Sequence, residues 1–430
     1  MKILFIGMGY VGTTMAVVLA NAGHEVTGLD VDNDKISSLQ KGELYFHEPG
    51  LQTMLMTQLQ NKNLTFTSDP KEAVETNDVL FITVGTPSQQ DGNADLTYVK
   101  KAAQMIGSFI NKTKTVIVKS TVPIGSTEKI GEWIHEASQG RFAVNMVMNP
   151  EFLREGSAVQ DALNPDRIVI GSTNTAGLDD MKTIYKSWDC PIVQTTTRTA
   201  EMIKYSSNAF LATKISFMNE IARLCDQLQV NVRDVSKGVG LDHRIGSAFL
   251  HAGLGYGGSC FPKDVKELLW TADAYQNPLQ ILKEVETVNQ TQPDYFLGKV
   301  REKYPSLAGK KVTLLGLAFK PDTDDTRESV SFPIMKQLTD EKAQVIVHDP
   351  IVQLSPSWLA QGVIQHSDPY EAVKGADVII ICTNWPQYEE LDWKKVTGLV
   401  RHRFIFDGRN MLDAQEMKRL NFYYTGIGYS

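Results

Sequence analysis

The chain has 430 residues, enough for two or three domains with ample core. Its net charge of −7 argues against bulk attraction to nucleic acid, and its 42% hydrophobic content is ordinary for a globular protein. No apolar stretch reaches the roughly 18 residues of a spanning helix, so no membrane partner is expected. Four cysteines are too few for a disulfide framework, and a reduced, cytoplasmic setting is expected.

Lys2 to Ile6 reads as a short buried strand. It breaks into Gly7-Met8-Gly9-Tyr10-Val11-Gly12 too early for a signal peptide. A helical pattern follows over Thr13 to Ala22, then a second strand over His24 to Leu29 that ends at Asp30. In such a unit the first glycine permits the tight turn, the second admits a pyrophosphate, and the third lets helix pack on strand. The phosphates are expected on the helix N-terminus. An acid at the end of strand two suits a ribose 2′-hydroxyl and repels a 2′-phosphate, which favours NAD over NADP.

Strand patterns continue over Asp78 to Val84, Lys114 to Lys119, Phe142 to Met148 and Arg167 to Gly171. The first three end in Gly85-Thr86-Pro87, Ser120-Thr121-Val122-Pro123 and Asn149-Pro150-Glu151-Phe152-Leu153-Arg154-Glu155-Gly156. Ligands of open α/β sheets bind beyond the carboxyl ends of strands, so these three loops form a candidate site. For Ser120 and Thr121 the plain alternative is to cap the next helix.

Thr199 to Leu228 contains neither Pro nor Gly and keeps an apolar face through Ile203, Phe210, Leu211, Ile215, Met218, Ile221, Ala222 and Cys225. Thr199 and Glu201 suit its start. A helix this long crosses between domains or pairs with a copy of itself. Lys204 and Asn208 stand four residues apart and share a face; the alternative is a solvated polar stripe.

The stretch Leu254 to Asp264 reads LGYGGSCFPKD. Its glycines Gly255, Gly257 and Gly258 permit a close backbone approach. Pro262 suits the first turn of a helix. Cys260 is therefore placed at a helix N-terminus beside Lys263, where amides and dipole favour the reactive thiolate. The alternative is an inert buried thiol, the reading given to Cys190, Cys225 and Cys382.

Strands recur over Lys311 to Gly316, Gln344 to His348, Ala376 to Cys382 and Arg403 to Phe406, which describes a second α/β domain. Its first turn, Gly316-Leu317-Ala318, lacks the full glycine fingerprint, so it is expected to serve a substrate rather than a second dinucleotide. The eight histidines show no metal spacing.

A nicotinamide site plus an activated cysteine predicts oxidation through a covalent thio-intermediate: thiolate and aldehyde give a thiohemiacetal, hydride loss gives a thioester, and water releases an acid. Lys204 is the candidate cation for the charged oxygen and Asn208 the neutral donor. Glu151, Asp264 and Thr121 are candidates for positioning and deprotonating water.

The segments GMGYVG, VGTP, STVP, NPEFLREG, AEMIKYSSNAF, GYGGSCFPKD and FKPDTDDTRES, in this order, closely resemble the UDP-glucose/GDP-mannose dehydrogenase family over nearly the whole chain. The resemblance implies two Rossmann-like doubly wound α/β domains joined by a long central helix. Residues 1–198 are then the NAD domain, 199–298 a helical dimerisation domain with the cysteine loop, and 299–430 the nucleotide-sugar domain. It implies a four-electron oxidation of a nucleotide sugar with NAD.

Matched residue by residue, the resemblance makes Cys260 the nucleophile and Lys204 with Asn208 the oxyanion pair. Glu151 becomes the acid/base of thioester hydrolysis, with Thr121 and Asp264 near the water. Gly7, Gly9, Tyr10, Val11, Gly12, Asp30, Lys35, Thr86, Thr121, Glu155 and Arg327 are implied for the cofactor. Glu151, Phe152, Leu153, Glu155, Lys204, Asn208, Phe249, Gly257, Phe319, Lys320 and Arg409 are implied for the nucleotide sugar. Arg244 resembles an arginine that reaches a neighbouring subunit's site, which implies a dimer. Lys35 stands where some relatives carry Arg and loses the planar fork. GGSCFPKD favours UDP-glucose over GDP-mannose or another UDP-hexose. A catalytically silent nucleotide-sugar sensor is the alternative of another class, and the presence of Cys260, Lys204 and Glu151 speaks against it.

Overall fold

A computed structural model describes residues 1–430 and divides them into two compact units. The first comprises Met1–Ser207 with Lys266–Tyr275, the second Asn208–Val265 with Gln276–Ser430.

The first unit is built on an eight-stranded sheet. In chain order its strands are β1 (Lys2–Ile6), β2 (Glu25–Leu29), β3 (Leu64–Thr67), β4 (Val79–Ile82), β5 (Lys114–Val118), β6 (Val144–Met148), β7 (Ile168–Ser172) and β8 (Ile192–Thr195). Their spatial order is β3-β2-β1-β4-β5-β6-β7-β8. The order reverses between β1 and β4, which opens the crevice where such sheets take ligands. Alternation along β1 feeds two cores: Ile3 and Phe5 pack on one face, Leu4 and Ile6 on the other. Phe5 pairs with Phe81 in register and stacks on it at 4.6 Å. Each such fully buried side chain stabilises by about 1.5–3 kcal/mol.

The strands expected at Lys2, His24, Asp78, Lys114, Phe142 and Arg167 all form, within two residues at each end. β3 and β8 are additions to that reading. Both are four-residue edge strands, too short and half-wetted to leave an apolar run. β7 runs antiparallel to β6, unlike every other pair in the sheet. Between them lies only the six-residue helix Ala158–Leu163, in place of a full crossover helix.

The second unit carries a six-stranded parallel sheet. Its strands are β9 (Lys311–Leu315), β10 (Gln344–His348), β11 (Ile364–Gln365), β12 (Val378–Ile381), β13 (Phe404–Asp407) and β14 (Tyr423–Thr425), in the order β11-β10-β9-β12-β13-β14. The edge strands β11 and β14, of two and three residues, carried no readable signal. Two long helices complete this core: Met218 and Ala222 come from one, Phe296 and Val300 from the other, Gln280–Lys303.

The long helix is Thr197–Leu228, of 32 residues, two residues longer at its start than its pattern suggested. Thr196 caps it, taking the Thr199 amide on its hydroxyl at 3.2 Å. No helix of the chain is long and apolar enough to cross a membrane.

Candidate active site

The turn after β1 has the form its glycines require. Gly7 lies at φ +96°, a left-handed conformation, and its amide bonds Leu29 O at 2.8 Å. A Cβ on Gly12 would stand 2.0 Å from Gly7 O, so the third glycine is fixed by helix packing. A Cβ on Gly9 would meet nothing within 4 Å. The protein itself leaves that space, at the start of the twelve-residue helix Tyr10–Asn21. This is what a pyrophosphate needs, and the residues fit NAD. Asp30 accepts the Met8 amide at 2.7 Å and Lys35 Nζ at 3.2 Å, and Lys35 lies over the Tyr45 ring. Thr86 donates its hydroxyl to Thr121 O at 2.8 Å, and Ser120 to Val84 O at 2.7 Å. Neither Ser120 nor Thr121 caps the following helix, Ser126–Ala137.

The same unit holds a buried ion pair. Lys204 Nζ stands 2.8 Å from Glu151 Oε1, with the two side chains 3% and 7% exposed. The Leu153 amide donates to Glu151 Oε2 at 2.6 Å. Both carboxylate oxygens therefore have a donor, which a buried charge requires. The Phe152 ring lies 4.1 Å from the Arg167 guanidinium and 5.4 Å from Lys204 Nζ. The solvated-stripe alternative fails for Lys204. Tyr10 reaches Glu48, a buried carboxylate that also accepts the Gly156 amide at 2.8 Å and the Val159 amide at 3.2 Å. The turn after β1 is thus tied to the loop that carries Glu155.

In the second unit Cys260 precedes the helix Phe261–Ala274 and accepts the Asp264 amide on its carbonyl at 2.9 Å. That is the helix start expected. Asp264 is buried and takes Asn208 Nδ2 at 2.6 Å and Lys263 Nζ at 2.7 Å. All four cysteines are thiols. Burial pushes the Cys382 thiol up to about 12 and also raises Cys225 and Cys190, so these three stay protonated and inert.

The glycines of the cysteine loop serve the protein's own packing. A Cβ on Gly255 would stand 2.4 Å from Asn289 Oδ1, one on Gly257 2.1 Å from Glu328 O, and one on Gly258 2.7 Å from the Phe319 ring. Gly258 N bonds Arg327 O at 2.9 Å, while the Arg327 side chain pairs with Asp325 at 2.8 Å. Arg409 donates to three backbone carbonyls, of Cys382 at 2.6 Å, Gly255 at 3.0 Å and Phe319 at 3.4 Å. It fixes the cysteine loop and the turn that bears Phe319 and Lys320, whose ammonium lies over the Phe319 ring. Phe249, at φ +64°, sets its ring 6.0 Å from that of Phe261. Arg244 is not drawn into these clusters; it is exposed and paired with Asp242 at 2.6 Å.

Several roles escaped the sequence reading. Lys119 and Asn149 bond to each other beneath the Glu151 loop, and a lysine ending an apolar strand was their only signal. Glu48 had none. Glu201 does not start its own helix but caps Ser126–Ala137. Asp349, at the end of β10, accepts the Leu317 and Ala318 amides at 2.7 and 3.0 Å, filling the second domain's first turn from within.

Three family models match in succession: the NAD binding domain of the UDP-glucose/GDP-mannose dehydrogenase family over residues 1–189, its central domain over 198–291 and its UDP binding domain over 313–414. A UDP-glucose 6-dehydrogenase of Rhizobium meliloti (strain 1021) is 42% identical, covering 100% of this chain and 99% of its own. UDP-glucose 6-dehydrogenase TuaD of Bacillus subtilis (strain 168) is 40% identical over 99% of this chain and 93% of its own. The solved UDP-glucose dehydrogenase of the archaeon Pyrobaculum islandicum superposes with a TM-score of 0.92 at 38% identity, covering 100% of this chain and 98% of that one. With matching models across most of its length and relatives this similar from end to end, the chain belongs to the UDP-glucose/GDP-mannose dehydrogenase family.

Proposed function

We propose that this protein is a UDP-glucose 6-dehydrogenase, which oxidises the primary alcohol at C6 of the sugar to the carboxylate of UDP-glucuronate. The observation that carries the reading is a pair of buried contacts one helical turn apart. On the helix Thr197–Leu228, Lys204 holds Glu151 at 2.8 Å and Asn208 holds Asp264 at 2.6 Å. Asp264 in turn lies in the first turn of the helix that Cys260 caps.

NAD⁺ supplies the hydride acceptor for both oxidations. The amides at the start of the helix Tyr10–Asn21 and the Asp30 carboxylate are placed to hold it. Lys204 and Asn208 donate to the sugar oxygen while it carries charge. The Cys260 thiolate adds to the aldehyde carbon to give a thiohemiacetal, and loss of a second hydride leaves a thioester. Water adds to the thioester, Glu151 takes its proton, and Cys260 leaves again as thiolate. Thr121 and Asp264 complete the surroundings of that water. Phe152, Leu153, Phe249, Gly257, Phe319 and Lys320 are assigned to the nucleotide sugar, Glu155 and Arg327 to cofactor contacts. The relatives' names support UDP-glucose over GDP-mannose.

A homodimer is part of the proposal. Phe210, Phe217 and Leu224 recur every seven residues along one helix and are 66%, 52% and 50% exposed. This is a large apolar stripe for a surface, suited to a copy of itself. Arg244, exposed and paired with Asp242 in the single chain, is then assigned to the neighbouring protomer's site. A cytoplasmic setting suits a thiol that must stay reduced.

The test is NADH formation with purified protein, NAD⁺ and a panel of UDP- and GDP-sugars. NADH with UDP-glucose supports the reading. NADH with GDP-mannose alone replaces the substrate and keeps the mechanism. Tight sugar binding with no NADH from any of them identifies a sensor instead.

A further inference from the structure

Lys119 ends β5 and is 4% exposed. Its ammonium donates to Asn149 Oδ1 at 3.0 Å and to Asn149 O at 3.5 Å, both neutral oxygens. Asn149 is fixed from two further sides: Tyr185 donates to its Oδ1 at 2.7 Å, and its own amide donates to Val169 O at 2.8 Å. Asn149 lies two residues before Glu151 and roots the loop that carries it. A buried cation held only by neutral partners is costly, and such a group is usually retained for function.

We infer that Lys119 is a positioning residue for the hydrolytic half of the reaction: bound at the root of the Glu151 loop, its charge tunes how strongly Glu151 takes a proton from water. The inference rests on Glu151 being the base of thioester hydrolysis. The charged groups facing Lys119 are Glu151, which attracts it, and Lys204 on the long helix, which repels it. Tyr185 faces the same asparagine and stays neutral, because burial raises its hydroxyl. Burial pulls the Lys119 ammonium down to about 8. As pH rises through that value Lys119 becomes neutral and Glu151 loses one of the two cations that face it.

The experiment isolates hydrolysis. Enzyme in excess over UDP-glucose, with ample NAD⁺, is followed by rapid quench for release of UDP-glucuronate. The wild-type rate is expected to rise about 3- to 10-fold between about pH 7 and 9. Lys119→Gln keeps a donor without charge and is expected to hold the upper plateau at low pH. Lys119→Arg keeps its charge throughout and is expected to stay on the lower plateau. NADH release in the same experiment serves as the second readout and is expected to keep its wild-type pH dependence in both variants. A role confined to packing lowers all rates alike and leaves the rise in place; that result overturns the inference. Where a variant does not fold, the wild-type profile decides, since hydrolysis without the rise overturns it as well. Wild-type enzyme that forms no acyl adduct on Cys260 overturns both this inference and the reading it rests on. An adduct with a flat hydrolysis profile overturns the Lys119 role alone.

Discussion

Glu201 accepts the backbone amide of Thr127 at 2.8 Å and its hydroxyl at 2.6 Å, and takes the Gly125 amide at 2.5 Å with its other oxygen. Glu201 is fully buried on the long helix, three residues before Lys204. The start of the helix Ser126–Ala137 therefore depends on a carboxylate supplied from 74 residues further along the chain. Glu201→Ala leaves three donors without their acceptor. Urea unfolding is expected to give a loss of about 1–3 kcal/mol. The accompanying fall in activity is expected in kcat rather than in the KM for NAD⁺, because Lys204 lies within one turn of Glu201 on that helix.

Lys204→Met strands the Glu151 carboxylate in a buried site. Breaking one side of such a pair costs about 3–5 kcal/mol. Loss of a preorganised donor to a charged oxygen lowers rate by about 10²–10³. Adding Glu151→Gln is expected to restore part of the stability and none of the activity. Paired unfolding curves and single-turnover NADH traces separate the two effects.

The glycines of the first turn give opposite outcomes for one methyl group. Gly12→Ala drives a Cβ into Gly7 O at 2.0 Å and is expected to destabilise the domain itself. Gly9→Ala places its Cβ in open space, within 4 Å of nothing. It is expected to melt like wild type and to bind NAD⁺ at least tenfold more weakly, about 1.4 kcal/mol. Calorimetric titration with NAD⁺ beside thermal melts checks both; unchanged affinity in Gly9→Ala contradicts the placement of the pyrophosphate.

Lys119 also makes folding pH-dependent. Its ammonium is pulled down to about 8 by burial, whereas an unfolded lysine titrates at 10.5. Between these values the unfolded chain binds more protons, so this group's contribution makes stability rise with pH across that window. At about 1.4 kcal/mol per unit the rise amounts to about 3 kcal/mol. Lys119→Met is expected to be the more stable protein at pH 7 and to lack the rise. Urea midpoints at several pH values measure it.

The interior of both sheets was legible because its strands are continuous apolar runs such as Leu80–Ile82 and Val378–Ile381, buried on both faces. The edge strands were not, since a few half-exposed residues carry no period. The glycine turn, Cys260 at a helix start and the shared face of Lys204 and Asn208 were legible from local spacing alone. The purpose of Gly257 was not: the carbonyl of Glu328 that excludes its Cβ lies 71 residues away in sequence. Lys119 and Glu201 look like ordinary strand-end and helix-face charges until distant backbone closes around them.

The central claim is that one thiol, Cys260, carries the sugar from aldehyde to acid. The direct measurement is NADH formed per UDP-glucose consumed, for wild type and for Cys260→Ser, with mass spectrometry of the Cys260 peptide after quenching. The account predicts two NADH per sugar and an acyl adduct on Cys260 in wild type, with no UDP-glucuronate formed by the serine variant. One NADH per sugar, or a Cys260→Ser variant that still makes the acid at the wild-type rate, would contradict it.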